Sequence, residues 1–164
     1  MNIIRLSKEH IEECADLFID VFTKAPWNDT YNSKGQVISY FQNYINNNYF
    51  VGYGLKDQNC MIAISVGMKK PWINGMEYYI DQFCVKTDLQ GKGIGSYFLK
   101  LIENEIQTEK MNAIILNTER GFPAEKFYKK TASNQLMNLL LSQNKYRPLK
   151  RMRRRAWNYP YKND

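Results

Sequence analysis

Histidine is almost absent from these 164 residues: His10 stands alone. Zinc sites built on several histidines are thereby excluded, as are Ser-His-Asp and Cys-His triads that do not use His10. His10 itself falls in a segment of helical periodicity, where a lone histidine reads as a surface or boundary residue. Cysteine is scarce too. Cys14, Cys60 and Cys84 are odd in number, far apart and without a C-x-x-C pair, so no disulfide framework is indicated and a reducing compartment is expected. No apolar run approaches the roughly 18 residues of a membrane span. The N-terminus, MNIIRLSKEHIEECADLF, has an acid by residue 9 and no charged-then-apolar leader pattern. These absences lead us to expect a cytoplasmic protein with no membrane partner and no metal.

An excess of one charge is also missing from most of the chain. The formal net charge is +7, but residues 143–164 hold eight of the 23 basic residues and one of the 16 acids. The 142 residues before them hold fifteen of each and are neutral. The length supports one domain, placed at 1–142, with a basic tail at 143–164. That tail mixes Arg151, Arg153, Arg154 and Arg155 with Trp157, Tyr159 and Tyr161, a composition suited to phosphate and base contacts. A nucleic-acid or acidic-partner binding module acting through the tail is therefore the alternative to an enzyme. A solvated charge run accounts for the same residues without any partner, and nucleic acid is not expected elsewhere in the chain.

Periodicity orders the rest. Residues 2–6 read as a short strand, followed by Ser7 as a cap and a helix with Ile11, Cys14, Ala15, Phe18, Ile19 and Phe22 on one face. Pro26 ends it, and Trp27 to Ser33 is a loop. A second helix spans 34–47, with Val37, Tyr40, Phe41 and Tyr44 as its apolar stripe. The period then changes to two: 49–55 and 60–68 form a hairpin around Lys56-Asp57-Gln58-Asn59, and 76–86 is a third strand entered through a loop at Lys70 to Gly75. A glycine-rich turn at 87–95 leads into an amphipathic helix at 94–109, then a near-continuous apolar strand at 112–118 of the type buried on both faces, and a short helix at 122–130 with Pro123 in its first turn. This order predicts a mixed α/β (α+β) fold: a mostly antiparallel sheet flanked by helices, ending in a β-turn-α-β unit.

The turn Gln90-Gly91-Lys92-Gly93-Ile94-Gly95-Ser96 lies between a strand and a helix. Glycines at alternate positions let the backbone turn tightly and clear side chains from above the amide N–H groups. With the positive end of the next helix, those amides make an anion site suited to phosphate or pyrophosphate, and Lys92 adds a mobile cation. A P-loop fits neither the glycine spacing nor the lysine position. A dinucleotide fingerprint would put Ser96 where glycine or alanine belongs, and would leave too little chain after Gly95.

Two segments carry a further signal: Phe83-Cys84-Val85 followed by Gln90-x-x-Gly93-x-Gly95, and then Leu116-Asn117 followed by Ala124-Glu125-Lys126-Phe127-Tyr128. In this order they resemble the GNAT superfamily of acyl-CoA-dependent N-acyltransferases. The resemblance covers about residues 1–130 and implies acetyl-CoA as cosubstrate. It implies that the amides of Gln90, Gly91, Lys92, Gly93, Ile94, Gly95 and Ser96 bind the CoA pyrophosphate. The backbone of Phe83, Cys84 and Val85 would pair with the pantetheine arm. Asn117 would lie near the reacting centre, and Phe127 and Tyr128 beside the thioester, with Tyr128 protonating the leaving thiolate. A tyrosine of pKa about 10 is protonated at neutral pH and can do so.

An amine must lose a proton before it attacks, and a carboxylate can take it directly or through water. Glu77, Tyr79 and Asp81 alternate on one strand face; Asp81, closest to the thioester segment, is the first candidate base and Glu77 the second. Cys84 raises the option of a covalent acyl-enzyme, against which the family's direct transfer and the inertness of buried strand cysteines both argue. The expected reaction moves an acetyl group from acetyl-CoA to the primary amine of a small molecule of aminoglycoside, polyamine or amino acid type, directly within a ternary complex. Trp27, the loop Pro71-Trp72-Ile73, Asp29 and the two N-terminal helices would line the acceptor side. The chain leaves the family pattern after Tyr128: no glycine follows Gly121, and 135–141 reads as one strand or a helical turn. Such an end fits either a terminus that pairs with a second subunit in a homodimer, or a tail that is not ancestral to the fold.

Overall fold

The computed structural model describes residues 1–131 and the strand 137–142. The basic tail read at 143–164, and with it the subunit pairing read there, lies outside the described residues.

Strand β1 (Asn2–Arg5) is followed by a 3-10 turn, Lys8–His10, and helix α1 (Ile11–Phe22). The Ser7 backbone N–H donates to Nδ1 of His10 at 3.1 Å, so the single histidine closes this turn. Helix α2 (Lys34–Ile45) starts where the Ser33 side chain accepts from the Gln36 N–H, satisfying one of the amides that a helix start leaves open. Then come β2 (Phe50–Asp57), β3 (Cys60–Trp72), β4 (Gly75–Val85), α3 (Ile94–Thr108), β5 (Met111–Glu119), α4 (Pro123–Thr131) and β6 (Met137–Ser142). One sheet takes all six strands in chain order, antiparallel from β1 to β4 and parallel from β4 to β6. The mixed, mostly antiparallel architecture expected from the element order is therefore the one observed.

Two boundaries differ from the sequence expectation. The segment read as a loop from Lys70 to Gly75 is mostly strand, with Ile73 and Asn74 left as the turn. Pro71 sits one pair from the hairpin end, where a residue without an N–H costs the ladder least. Within the segment 135–141, read as one strand or a helical turn, the described residues from Met137 on are strand and pair in parallel with β5.

Helices α1 and α2 cover one face of the sheet, where Phe18, Val37 and Phe41 meet Ile64, Val66 and Cys84. Helices α3 and α4 cover the other, where Phe98, Ile102, Ile106 and Tyr128 meet Tyr53, Tyr78, Ile80 and Leu116. Glu109, at the end of α3, ties three strands to that layer: its Oε1 takes Arg5 Nη1 at 2.5 Å and the Tyr53 hydroxyl at 3.0 Å, and its Oε2 takes Lys69 Nζ at 3.0 Å.

The decisive irregularity lies between β3 and β4. Val66 pairs with Gln82 and Gly67 with Ile80, so Asp81 is an extra residue in β4. A Cβ on Gly67 would lie 1.9 Å from the Tyr79 carbonyl oxygen, closer than any side chain can approach. Only glycine admits this bulge. Bulges bend and over-twist the strand that carries them, and β4 leaves β5 here: parallel pairing stops at Ile80 with Leu116, although β4 continues to Val85 and β5 to Glu119.

Gly67→Ala should cost about 3 kcal/mol or more, the upper range for overpacking, in urea denaturation; a loss under about 1 kcal/mol would show that the bulge does not need glycine. Burial alone would raise the Glu109 carboxyl, but Lys69, Arg5 and Tyr53 hold it below its ordinary range. Its contribution is complete above the unfolded-state pKa of about 4.3 and lost as pH falls through the lower folded value. Glu109→Gln should therefore lose about 1 kcal/mol at neutral pH and progressively less below about pH 4; an equal loss at both pH values would contradict this.

Candidate active site

Where β4 and β5 part, a cavity of about 470 Å³ opens. Its walls are the end of β4 (Phe83, Cys84, Val85), the glycine turn and start of α3 (Gln90, Gly91, Gly93, Gly95, Ser96), α4 (Pro123, Ala124, Phe127, Tyr128, Lys130), and the end of α1 with the loop after it (Val21, Phe22, Pro26, Trp27). The glycine turn is pinned at its base by Gln90, whose Nε2 donates to the Val85 carbonyl at 2.9 Å. Gly91 and Gly93 have φ of +73° and +82°, and nothing lies within 4 Å of where their Cβ atoms would be. The backbone therefore faces open space. No side chain caps the fifteen-residue α3 at Gly93, so its first amides are free for an anion. Gly95 serves packing: a Cβ there would be 3.1 Å from the Phe127 ring.

Aromatic rings build the inner wall. Phe83 lies 6.0 Å from Phe127 and 5.6 Å from Phe98, both near-parallel, and 6.2 Å from Tyr128 edge-on. Trp27 stacks on Phe122 at 4.8 Å, joining the loop after α1 to the start of α4. Tyr128 is buried, lines the cavity, and has no hydrogen-bond partner for its hydroxyl among the described residues. Burial, with a smaller push from Cys84, raises its phenol above the ordinary value, so it stays protonated. The Cys84 thiol is buried and raised as well, by burial first and then by Cys14, and packs in the core under α1.

A second group of polar side chains sits on the α1/α2 side of the fork. Asp81 and Asn117 each follow the last residue of their strand that pairs between β4 and β5. Asn117 Nδ2 donates to the Tyr79 hydroxyl at 2.6 Å. Asp81 is half-buried, and burial raises its carboxyl while the Tyr44 hydroxyl opposes the rise. Gln82 and Tyr40 pair beside it.

Of the sequence-predicted residues, Phe83, Cys84, Val85, Gln90, Gly91, Gly93, Gly95, Ser96, Phe127 and Tyr128 come together around the cavity. Lys92 and Ile94 do not line it; Ile94 packs against the core under α3. Asp81 and Asn117 stand at the fork rather than in the cavity wall, and Glu77 lies further back along β4. Pro71-Trp72-Ile73 does not line the cavity either: it forms the hairpin tip, with Trp72 59% and Ile73 91% exposed. Tyr40 and Tyr44 read as part of an apolar stripe; that their hydroxyls meet Gln82 and Asp81 could not follow from helical spacing. Among the described residues no group of three or more His, Cys, Asp or Glu is placed to hold a metal ion, and no helix is long and apolar enough to cross a membrane.

Residues 11–132 match the family model described as the acetyltransferase (GNAT) family. No curated protein is matched by the sequence. Among solved structures, the chain is similar to an aminoglycoside acetyltransferase from an uncultured soil metagenomic sample in complex with sisomicin, at 17% identity and a TM-score of 0.64, covering 87% of this chain and 96% of that one. It is similar to a possible acetyltransferase from Clostridium difficile 630 at 13% identity and a TM-score of 0.68, covering 88% and 94%. It is also similar to a ribosomal-protein-alanine N-acetyltransferase from Brucella melitensis biovar Abortus at 17% identity and a TM-score of 0.62, covering 79% and 90%.

Gly91→Ala and Gly93→Ala should each lower stability by about 1 kcal/mol through backbone strain alone, since no atom blocks the added methyl; chemical denaturation unchanged from wild type would show that the turn relaxes out of the left-handed region at no cost.

Proposed function

The chain belongs to the acetyltransferase (GNAT) family, and we propose that it moves an acetyl group from acetyl-CoA directly to the primary amine of a small molecule, with both substrates bound at the fork between β4 and β5. The observation that carries this reading is the cavity itself, with backbone amides and a helix start at one end and a protonated, unpartnered phenol inside. An elongated donor with an anionic end fits that arrangement. The open space over Gly91 and Gly93 suits a pyrophosphate, and the β4 edge from Phe83 to Val85, which has no strand partner on the β5 side, suits an amide-bearing arm. When bound, acetyl-CoA supplies the thioester whose C–S bond is exchanged for the new C–N bond.

Each proton then has a place. Asp81 takes one from the incoming ammonium, so that a neutral nitrogen attacks, and its carboxyl, raised by burial, makes it a better base than an ordinary aspartate. Tyr128 gives its hydroxyl proton to the departing sulfur and regains one as the nitrogen sheds its second. Asn117 and Tyr79, bonded to each other, fix the mouth of the fork. The inert position of the Cys84 thiol supports direct transfer over an acyl-enzyme. Aminoglycoside, polyamine and amino acid acceptors all satisfy this chemistry; the similar fold solved with sisomicin supports the first of them only as far as shape goes.

Saturating acetyl-CoA should raise the melting temperature, and no shift would remove the reading. Tyr128→Phe should lower kcat about 100-fold or more with acetyl-CoA affinity within about twofold; unchanged turnover would reject Tyr128 as the acid. Tyr44→Phe removes the group that restrains the Asp81 carboxyl, so its pKa rises and the acid limb of the pH–rate profile should move to higher pH. A limb that stays in place, or moves lower, would reject Asp81 as the base.

A further inference from the structure

Two carboxylates on β4 each keep a buried oxygen without a partner. Among the described residues, Glu77 Oε2, Asp81 Oδ2 and Thr87 Oγ1 are shut off from solvent and make no hydrogen bond. Asp81 has a role in the acetyl transfer proposed above; Glu77 has none. Only 7% of Glu77 is exposed, and a carboxylate kept from water with no cation beside it is strongly unfavourable.

Both acids face one side of the sheet. Tyr78 and Ile80 turn into the core under α3, which sends Glu77 and Tyr79 the other way, and the bulge keeps Asp81 on that side, against Tyr44 of α2. The Tyr79 ring lies between them and already receives a cation, with Lys70 Nζ 5.6 Å from its centre. Lys70 stands directly across the ladder from Glu77, yet its ammonium goes to the ring, and Glu77 Oε2 remains unpaired. Lys70 is exposed and can swing into solvent when another cation takes its place. Four residues of bulged strand separate the acids, about 12 Å.

We infer that the acceptor is a compound with two ammonium groups roughly 10–13 Å apart, one reacting at Asp81 and the other held by Glu77, with the connecting chain lying over Tyr79. This rests on the acetyl-transfer reading. It narrows the three acceptor types to extended di- or polycations. An amino acid is too short and brings its own carboxylate to an acidic row, and a monoamine leaves Glu77 unpaired. A flexible aliphatic polyamine and a multiply aminated sugar share the required chemistry.

Steady-state acetyl transfer by the wild-type protein, measured with an eight-carbon α,ω-diamine, a four-carbon α,ω-diamine, an eight-carbon monoamine and a multiply aminated sugar, decides the point. The expected result is a kcat/KM for the eight-carbon diamine or the sugar about 10- to 100-fold above the monoamine and the short diamine, the range for a hydrogen bond to a charged group. The better of the two names the source. In Glu77→Gln that preference should fall to about one. A monoamine used as well as both dications by the wild type would overturn the inference and leave acetyl transfer standing, and so would a preference that persists in Glu77→Gln. The wild-type comparison decides by itself if the variant does not fold. Acetyl-CoA binding with no amine acetylated would overturn both.

Discussion

The close approach of the Tyr79 carbonyl to Gly67 governs what the rest of the structure can do. It lets β4 take an extra residue at Asp81, bends the strand, and ends its pairing with β5 at Ile80. The cavity, the unpaired β4 edge and the placement of Asp81 beside Asn117 all follow from that parting. Without it, an apolar strand pair would close over the place where Tyr128 now meets open space. The bulge also changes which face the side chains take: Tyr78 and Ile80 point under α3 before it, and Phe83 and Val85 after it. Phe83 thereby joins the aromatic wall with Phe127 and Tyr128, and Cys84 goes to the core under α1.

The fork divides two kinds of electrostatics between the two sides of one strand. Under α3 and α4, an anion is met by backbone amides and a helix start, which carry partial rather than full charges and so cost little when empty. On the α1/α2 side lie full carboxylates, two of them short of partners, next to tyrosine hydroxyls and a ring that already receives an ammonium. In the proposed reading, an anionic donor and a cationic acceptor go to opposite sides of the same gap. The neutrality of the first 142 residues fits this division, because neither side depends on bulk charge.

Much of this was legible in the sequence because it rests on local rules. Ile11 to Phe22 and Ile94 to Thr108 declare themselves by three- and four-residue spacing, and the alternate glycines at 91, 93 and 95 require a turn whose amides are bare. Family resemblance then brought Tyr128 to the cavity. The fork was harder to read, because it depends on register between strands. A glycine inside the run 60–68 is the one signal that pointed to it, since an isolated strand glycine marks a bulge or a close backbone approach. Gly67 alone could not reveal that the extra residue would be Asp81. The hydroxyls of Tyr40 and Tyr44 were hidden by the same helical spacing that placed their rings in the core. That the tip at Trp72 and Ile73 stands away from the cavity was not legible, because aromatic composition says nothing about which end of a hairpin meets it.

Amide hydrogen exchange with and without acetyl-CoA tests the central claim, that the fork is the donor site, most directly. Protection is expected in peptides covering Phe83 to Ser96 and in α4 around Phe127 and Tyr128, with the hairpin tip at Trp72 and Ile73 unaffected. Binding without protection in those two segments, or protection confined to another part of the chain, would contradict the account.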